Sequence, residues 1–137
     1  MEDVINLLDS RKPGVTEKDI ISAEKELDAV FPAEYKELFK KTNNAEVGEW
    51  TLFPIKDPKN IKRTWDDVVR QNKEARDEGM AGDLVTIGED GTGDKLCYRI
   101  VDQAMEDQVY LWNHESGELE EMASSLKEFI LSYSEVD

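Results

Sequence analysis

The chain has 137 residues, 32 of them acidic against 17 basic, and its net charge of -15 opposes binding to bare DNA, RNA or an anionic membrane, since each carries the same sign. A cationic protein is the natural complement. The length fits a single domain over residues 1–137 that buries roughly two thirds of its unfolded surface, with 39% apolar residues for a core although 36% are charged.

The first ten residues, MEDVINLLDS, are acidic and lack the apolar stretch of a signal peptide, so a cytoplasmic location is expected. No apolar run approaches the length that crosses a bilayer. The same segment reads as a short helix burying Val4, Ile5 and Leu8, broken by RKPG. Thr16 is placed to cap a second helix with Ile20, Ala23 and Leu27 on one face. After Phe31, Pro32 suits the first turn of a third helix, in which Tyr35, Leu38 and Phe39 follow helical spacing. Asn43 or Asn44 can take the left-handed conformation that ends it.

The period then changes. EWTLFPI alternates and stops at Pro54, as a strand does. Beyond the polar DPKNIKR, Thr64 is expected to cap a fourth helix through WDDVVRQNKEARDEG, with Trp65, Val68, Val69 and Asn72 inward and Gly79 and Gly82 closing it. LVTIG, KLCYRI and QVYLW are rich in β-branched and aromatic residues and read as strands of a meander. NHESGE turns the chain into a further strand, LEEM, and Ser124 or Ser125 starts a last helix with Leu126, Phe129, Ile130 and Tyr133 on its apolar face. The expected fold class is α+β: one antiparallel sheet of about four to six strands, flanked by N-terminal helices and a C-terminal helix.

Between two of those strands lies the acidic glycine knot EDGTGD. A phosphate-binding loop needs a longer glycine stretch, then Lys, a hydroxyl residue and a helix. Here Lys95 has no hydroxyl after it, a strand follows, and Glu89, Asp90 and Asp94 would meet a phosphate with like charge. For calcium, Asp90, Thr92 and Asp94 alternate as oxygen ligands do. With Asp90 as the first loop position, however, Lys95 falls where an EF-hand requires glycine and Val101 where it requires a bidentate glutamate. A tight turn accounts for every residue: Gly91 and Gly93 allow positive φ, and Asp90 and Asp94 can bond nearby amides. The knot is read as a hairpin turn.

Catalytic chemistry finds few components. His114 is the only histidine and sits beside Glu115, yet no Ser or Cys nucleophile occupies a recognisable elbow. Zinc needs three or four ligands, and one histidine with one cysteine is too few. Cys97, the only cysteine, lies in an apolar-rich run and reads as a buried thiol. No enzyme activity, metal or cofactor is expected. Trp50, Trp65 and Trp112 are expected in the core. Acidic sets at Asp66 and Asp67, at Glu89, Asp90 and Asp94, and at Glu115, Glu118, Glu120 and Glu121 read as solvated faces. A partner-binding surface would draw its charge from these residues.

Taken in order, these words resemble the SMI1/KNR4 family of the SUKH superfamily over roughly residues 16–133. The resemblance rests on Ile87-Gly88, on Gly93-Asp94, on the run from Val109 through Trp112 to Asn113-His114-Glu115, and on Ala123-Ser124-Ser125-Leu126 with Phe129. EKELDAVFPAEYKELFKKTNNA matches the family's Glu-rich helix and its Leu-Pro-x-x-Tyr helix start. Departures are Phe31 for leucine, Asn44-Ala45 for Asn-Gly, Asn113 for aspartate and Leu126 for phenylalanine; only Asn113 would weaken a role for a carboxylate. The resemblance implies a non-enzymatic binder of the bacterial immunity type. Such a protein neutralises a cognate polymorphic toxin, here a basic nuclease domain, by occluding its active site. The alternative it implies is a regulatory adaptor without a toxin partner. A monomer or weak homodimer is expected, with no direct nucleic-acid or membrane contact.

Overall fold

The computed structural model describes residues 2–8 and 13–134. Helix α1 (Glu2–Ile5) is a single turn; Val4 and, just beyond it, Leu8 enter the core, while Arg11 and Lys12 of the expected break lie outside the described residues. Helix α2 (Glu17–Leu27) begins at a capping box. Thr16 Oγ1 accepts from the Asp19 amide at 3.3 Å and Asp19 Oδ2 accepts from the Thr16 amide at 3.1 Å, an arrangement worth about 1 kcal/mol. Ile20, Ala23 and Leu27 form its buried face, as the spacing requires. In helix α3 (Ala33–Lys41) the four-residue spacing of Phe31, Tyr35 and Phe39 stacks three rings, with centroids 4.0 and 4.2 Å apart. Asn44 takes the left-handed φ of 62°, two residues beyond the cap at Thr42.

Seven strands follow: β1 (Glu46–Val47), β2 (Trp50–Leu52), β3 (Leu84–Glu89), β4 (Lys95–Val101), β5 (Ala104–Met105), β6 (Val109–Trp112) and β7 (Leu119–Ala123). They form one antiparallel sheet in the order β1-β2-β3-β4-β6-β7, with β5 folded back on the end of β4. The strands read from LVTIG, KLCYRI, QVYLW and LEEM are all present. The two-residue strands β1 and β5 were not legible, because neither is long enough to show a period. Between β2 and β3 the chain makes helix α4 (Val68–Asp77), and helix α5 (Leu126–Tyr133) closes it behind a Ser125 cap. Leu126, Phe129 and Ile130 of α5 are buried; Tyr133 is half-exposed and stacks on Phe129.

Alternation along β4 divides the core in two. Leu96 and Tyr98 join Val85, Ile87 and Val109 beneath α2, α3 and α5. Cys97 points the other way, into a smaller cluster with Leu84, Trp112, Ala75 and Met80 at the C-terminal end of α4. Burial pushes the Cys97 thiol up to about 12, so it stays protonated and inert.

Two asparagines complete the backbone where strands part. Asn72 on α4 accepts from the Thr86 amide at 2.8 Å and donates to the Thr86 carbonyl at 3.0 Å, presenting its carboxamide as a strand neighbour would. Asn43 does the same for both backbone groups of Ile55, each at 2.9 Å. Both side chains are buried.

The fourth helix departs from the sequence reading at its start. Asp67, not Thr64, is the cap: its Oδ1 accepts from the amides of Val69 at 2.9 Å and Arg70 at 3.2 Å. Thr64 is committed to the preceding turn, accepting from the Asp57 amide and donating to the Asn60 carbonyl. Trp65 therefore precedes the helix and is 59% exposed, whereas Trp50 and Trp112 are buried as expected.

Asn72→Ala would leave the buried amide and carbonyl of Thr86 unpaired and is expected to cost about 2–4 kcal/mol in urea unfolding. Asn72→Asp at neutral pH should cost at least as much, because a carboxylate would face the Val68 and Thr86 carbonyls. Trp112→Ala should lower stability by about 3–5 kcal/mol; an unchanged midpoint would contradict its place in the smaller cluster.

Candidate functional site

The register of the sheet brings the two acidic turns together. Pairing of β3 with β4 sets Glu89 opposite Lys95, and the side chains form an ion pair at 2.8 Å. Between them the glycine knot is a hairpin turn. Gly91 and Gly93 have φ of 92° and 103°, and Asp90 Oδ1 accepts from the Thr92 amide at 3.0 Å and its hydroxyl at 2.6 Å. Pairing of β4 with β6 sets Lys95 opposite Trp112, so Asp94 arrives beside the turn that follows β6. There Asn113 Oδ1 accepts from the amides of Glu115 and Ser116, and Gly117 turns back at φ 74°. The amide oxygen of Asn113 thus does the turn-forming work that an aspartate would do.

His114 latches the two turns. Its Nδ1 lies 2.8 Å and its backbone N 3.2 Å from Asp94 Oδ1. A carboxylate only accepts, so Nδ1 carries the proton in this contact. Gly93 must be glycine for this packing: a Cβ there would sit 3.0 Å from the imidazole as well as straining the φ of 103°. Glu115 Oε1 lies 3.8 Å from Nε2 on the far side of the ring. The hydrogen bonds from the His114 side chain, and then from its backbone, hold the Asp94 carboxyl below the usual range.

One end of the sheet therefore carries Glu89, Asp90, Asp94, Glu115 and Glu118, with Lys95 and His114 among them. Glu120 and Glu121 are exposed on the adjoining edge strand β7, where charge also discourages pairing with another sheet. Asp66 and Asp67 do not belong to this surface. They precede α4, and Asp67 is buried with its Oδ1 committed to the helix cap. The His114 contact was missed in the sequence because it spans twenty residues and depends on the β4–β6 register.

A second feature lies between α2 and α4, an open cleft of about 770 Å³ whose walls include Asp19, Glu26, Lys56, Arg70, Glu74 and Asp77. Among the described residues no three His, Cys, Asp or Glu side chains converge as metal ligands, and no helix is long and apolar enough to cross a membrane.

The Asp94–His114 contact is partly exposed, 23% and 39% at the two side chains, and is worth about 0.5–1 kcal/mol after solvent screening. Because folding lowers the Asp94 pKa, this contribution is full above the usual carboxylate pKa and is lost as the pH falls through the lowered value. The stability difference between the parent chain and Asp94→Asn should shrink in acid, as the pH falls through the lowered carboxyl value. A difference that does not change with pH would show that the carboxylate charge plays no part.

Comparison with known proteins bears on the whole chain. A family model described as SUKH_5, SMI1-KNR4 cell-wall, matches residues 1–135. No curated protein matches. Among solved structures the chain is similar to a protein from Pseudomonas syringae pv. tomato, 21% identical over 94% of each chain with a TM-score of 0.66, which shows the shared α+β fold. The chain belongs to the SMI1/KNR4 family of SUKH proteins.

Proposed function

We propose that this protein is a cytoplasmic immunity protein that binds a cognate polymorphic toxin, a basic nuclease domain, and neutralises it by occluding its active site. The observation that carries the reading is the convergence of Glu89, Asp90, Asp94, Glu115 and Glu118 at one end of the sheet of a chain with net charge -15. A nuclease cleft that attracts a phosphate backbone also attracts such a surface, and complementary fields raise the rate of encounter. Carboxylates take the place of phosphates. The latch between the turns reduces the ordering that binding would otherwise require.

Catalysis has little to work with. The only histidine donates to Asp94, and the only cysteine is buried with its thiol pushed up to about 12. The family description, which refers to the cell wall, favours a second reading: a regulatory adaptor with no toxin partner. Gene order separates the two, because an immunity gene lies beside the gene for its toxin.

The probe is the toxin domain encoded by the adjacent reading frame. Reversing Asp90, Glu115 and Glu118 to lysine removes charge while leaving the Asp94 latch in place. Association measured at low salt is expected to slow by about tenfold or more, with a smaller change in dissociation. An unchanged association rate would rule out this end of the sheet as the steering surface.

A further inference from the structure

A stretch between β2 and α4, residues 56–65, ahead of Asp66 and Asp67, is basic in an acidic protein. Lys56, Lys59, Lys62 and Arg63 against Asp57 give it a net charge of +3, and none of the four cations has an ion-pair partner among the described residues. It also carries the two most exposed large apolar side chains described, Trp65 at 59% and Ile61 at 55%. The segment is held in shape. Asp57 accepts from the amides of Lys59 and, through its carbonyl, Asn60, and Thr64 ties the ends together. Arg70 fixes Trp65, donating from Nε to the Trp65 carbonyl at 2.9 Å while its guanidinium carbon lies 5.3 Å from the ring centre. An exposed tryptophan held by an arginine has the composition of an interface hot spot.

Beside this loop, with Lys56 and Pro58 of the loop and Arg70 of α4 in its walls, is the cleft between α2 and α4. Asp19 and Asp67 in its walls are committed to helix caps, but Glu26, Glu74 and Asp77 are exposed and have no ion-pair partner among the described residues; Lys73 also lines it. A positive loop and a cleft whose walls carry five carboxylates against three cations thus stand side by side on one face, and such a face complements its own copy about a twofold axis. We propose that two copies of this chain associate through this face, each placing its basic loop, with Trp65 as apolar anchor, against the other's cleft. A polyanion laid across the loop would meet the carboxylates of the cleft within a Debye length, about 8 Å at physiological salt, which disfavours nucleic acid as the occupant. The net charge of -15 on each copy opposes association, so the dimer is weak and concentration-dependent. This inference does not depend on the existence of a toxin.

Sedimentation velocity of the full chain over a concentration series at fixed salt tests it. The parent chain is expected to form a reversible dimer, and Trp65→Ala to weaken it by about tenfold or more. Two charge-reversed variants give the sharper test: one with Lys59→Glu and Lys62→Glu, the other with Glu26→Lys and Glu74→Lys. Each alone sets like charges against each other and should be monomeric, whereas an equimolar mixture should form a heterodimer. All four residues are exposed, so circular dichroism should show each variant folded. A parent chain that stays monomeric, a dimer that neither reversal disturbs, or reversed variants that fail to pair would overturn the proposal. So would a monomer that binds a DNA duplex through Lys59 and Lys62.

Discussion

Strands β3 and β4 are buried on both faces, and this constraint organises the rest of the molecule. Leu96 and Tyr98 face one cluster while Cys97, between them, faces the other, so the sheet must be covered twice. Helices α2, α3 and α5 cover one side. The other is covered by α4, which the chain inserts between β2 and β3 at the cost of separating two adjacent strands in sequence. Where β2 turns away from β3 to enter that insertion, Thr86 would lose its backbone partners; the carboxamide of Asn72 supplies them. Insertion and asparagine are therefore two parts of one solution. A helix that covers the second face must also complete the edge that its insertion opens.

The same constraint places the charge. A protein with 36% charged residues and a sheet apolar on both faces has few positions left for carboxylates. They occupy the outer faces of helices, the edge strand β7, and the turns at the ends of strands. The β3–β4 and β6–β7 turns lie at the same end because β3 and β6 both flank β4 and run antiparallel to it. Their like charges repel, and Lys95 and His114 offset part of that repulsion by pairing with Glu89 and Asp94. The acidic end is thus a consequence of topology as much as of composition.

Much of the fold was legible because its signals are local. Thr16 capping α2, the four-residue spacing of α3 and the β-branched runs of β3, β4 and β6 each involve neighbours in sequence. The fourth helix was misplaced at its start because Thr64 and Asp67 are both acceptable caps and nothing local shows that the Thr64 hydroxyl is already engaged by Asp57 and Asn60. Trp65 followed that error: a ring read as the first inward residue of a helix is instead on an exposed turn. The candidate site was half legible. The turn-forming role of the glycine knot followed from its residues, but the contact between Asp94 and His114 required the register of β4 against β6, which a single sequence does not contain.

Charge on this molecule is segregated as well as unbalanced. The acids at the end of the sheet act together because the latch fixes one turn against the other, while the unpaired cations of residues 56–63 are held in a loop closed by its own hydrogen bonds. In a chain with nearly two carboxylates for every cation, a random surface would leave few basic residues without a neighbouring acid. Keeping four of them apart requires a rigid loop, and rigidity is what Asp57, Asn60 and Thr64 provide. Both charged regions thus rest on short-range hydrogen bonds that hold like charges together against their mutual repulsion. Those bonds spend stability on a particular surface pattern, which is the arrangement expected where that pattern is read by another protein.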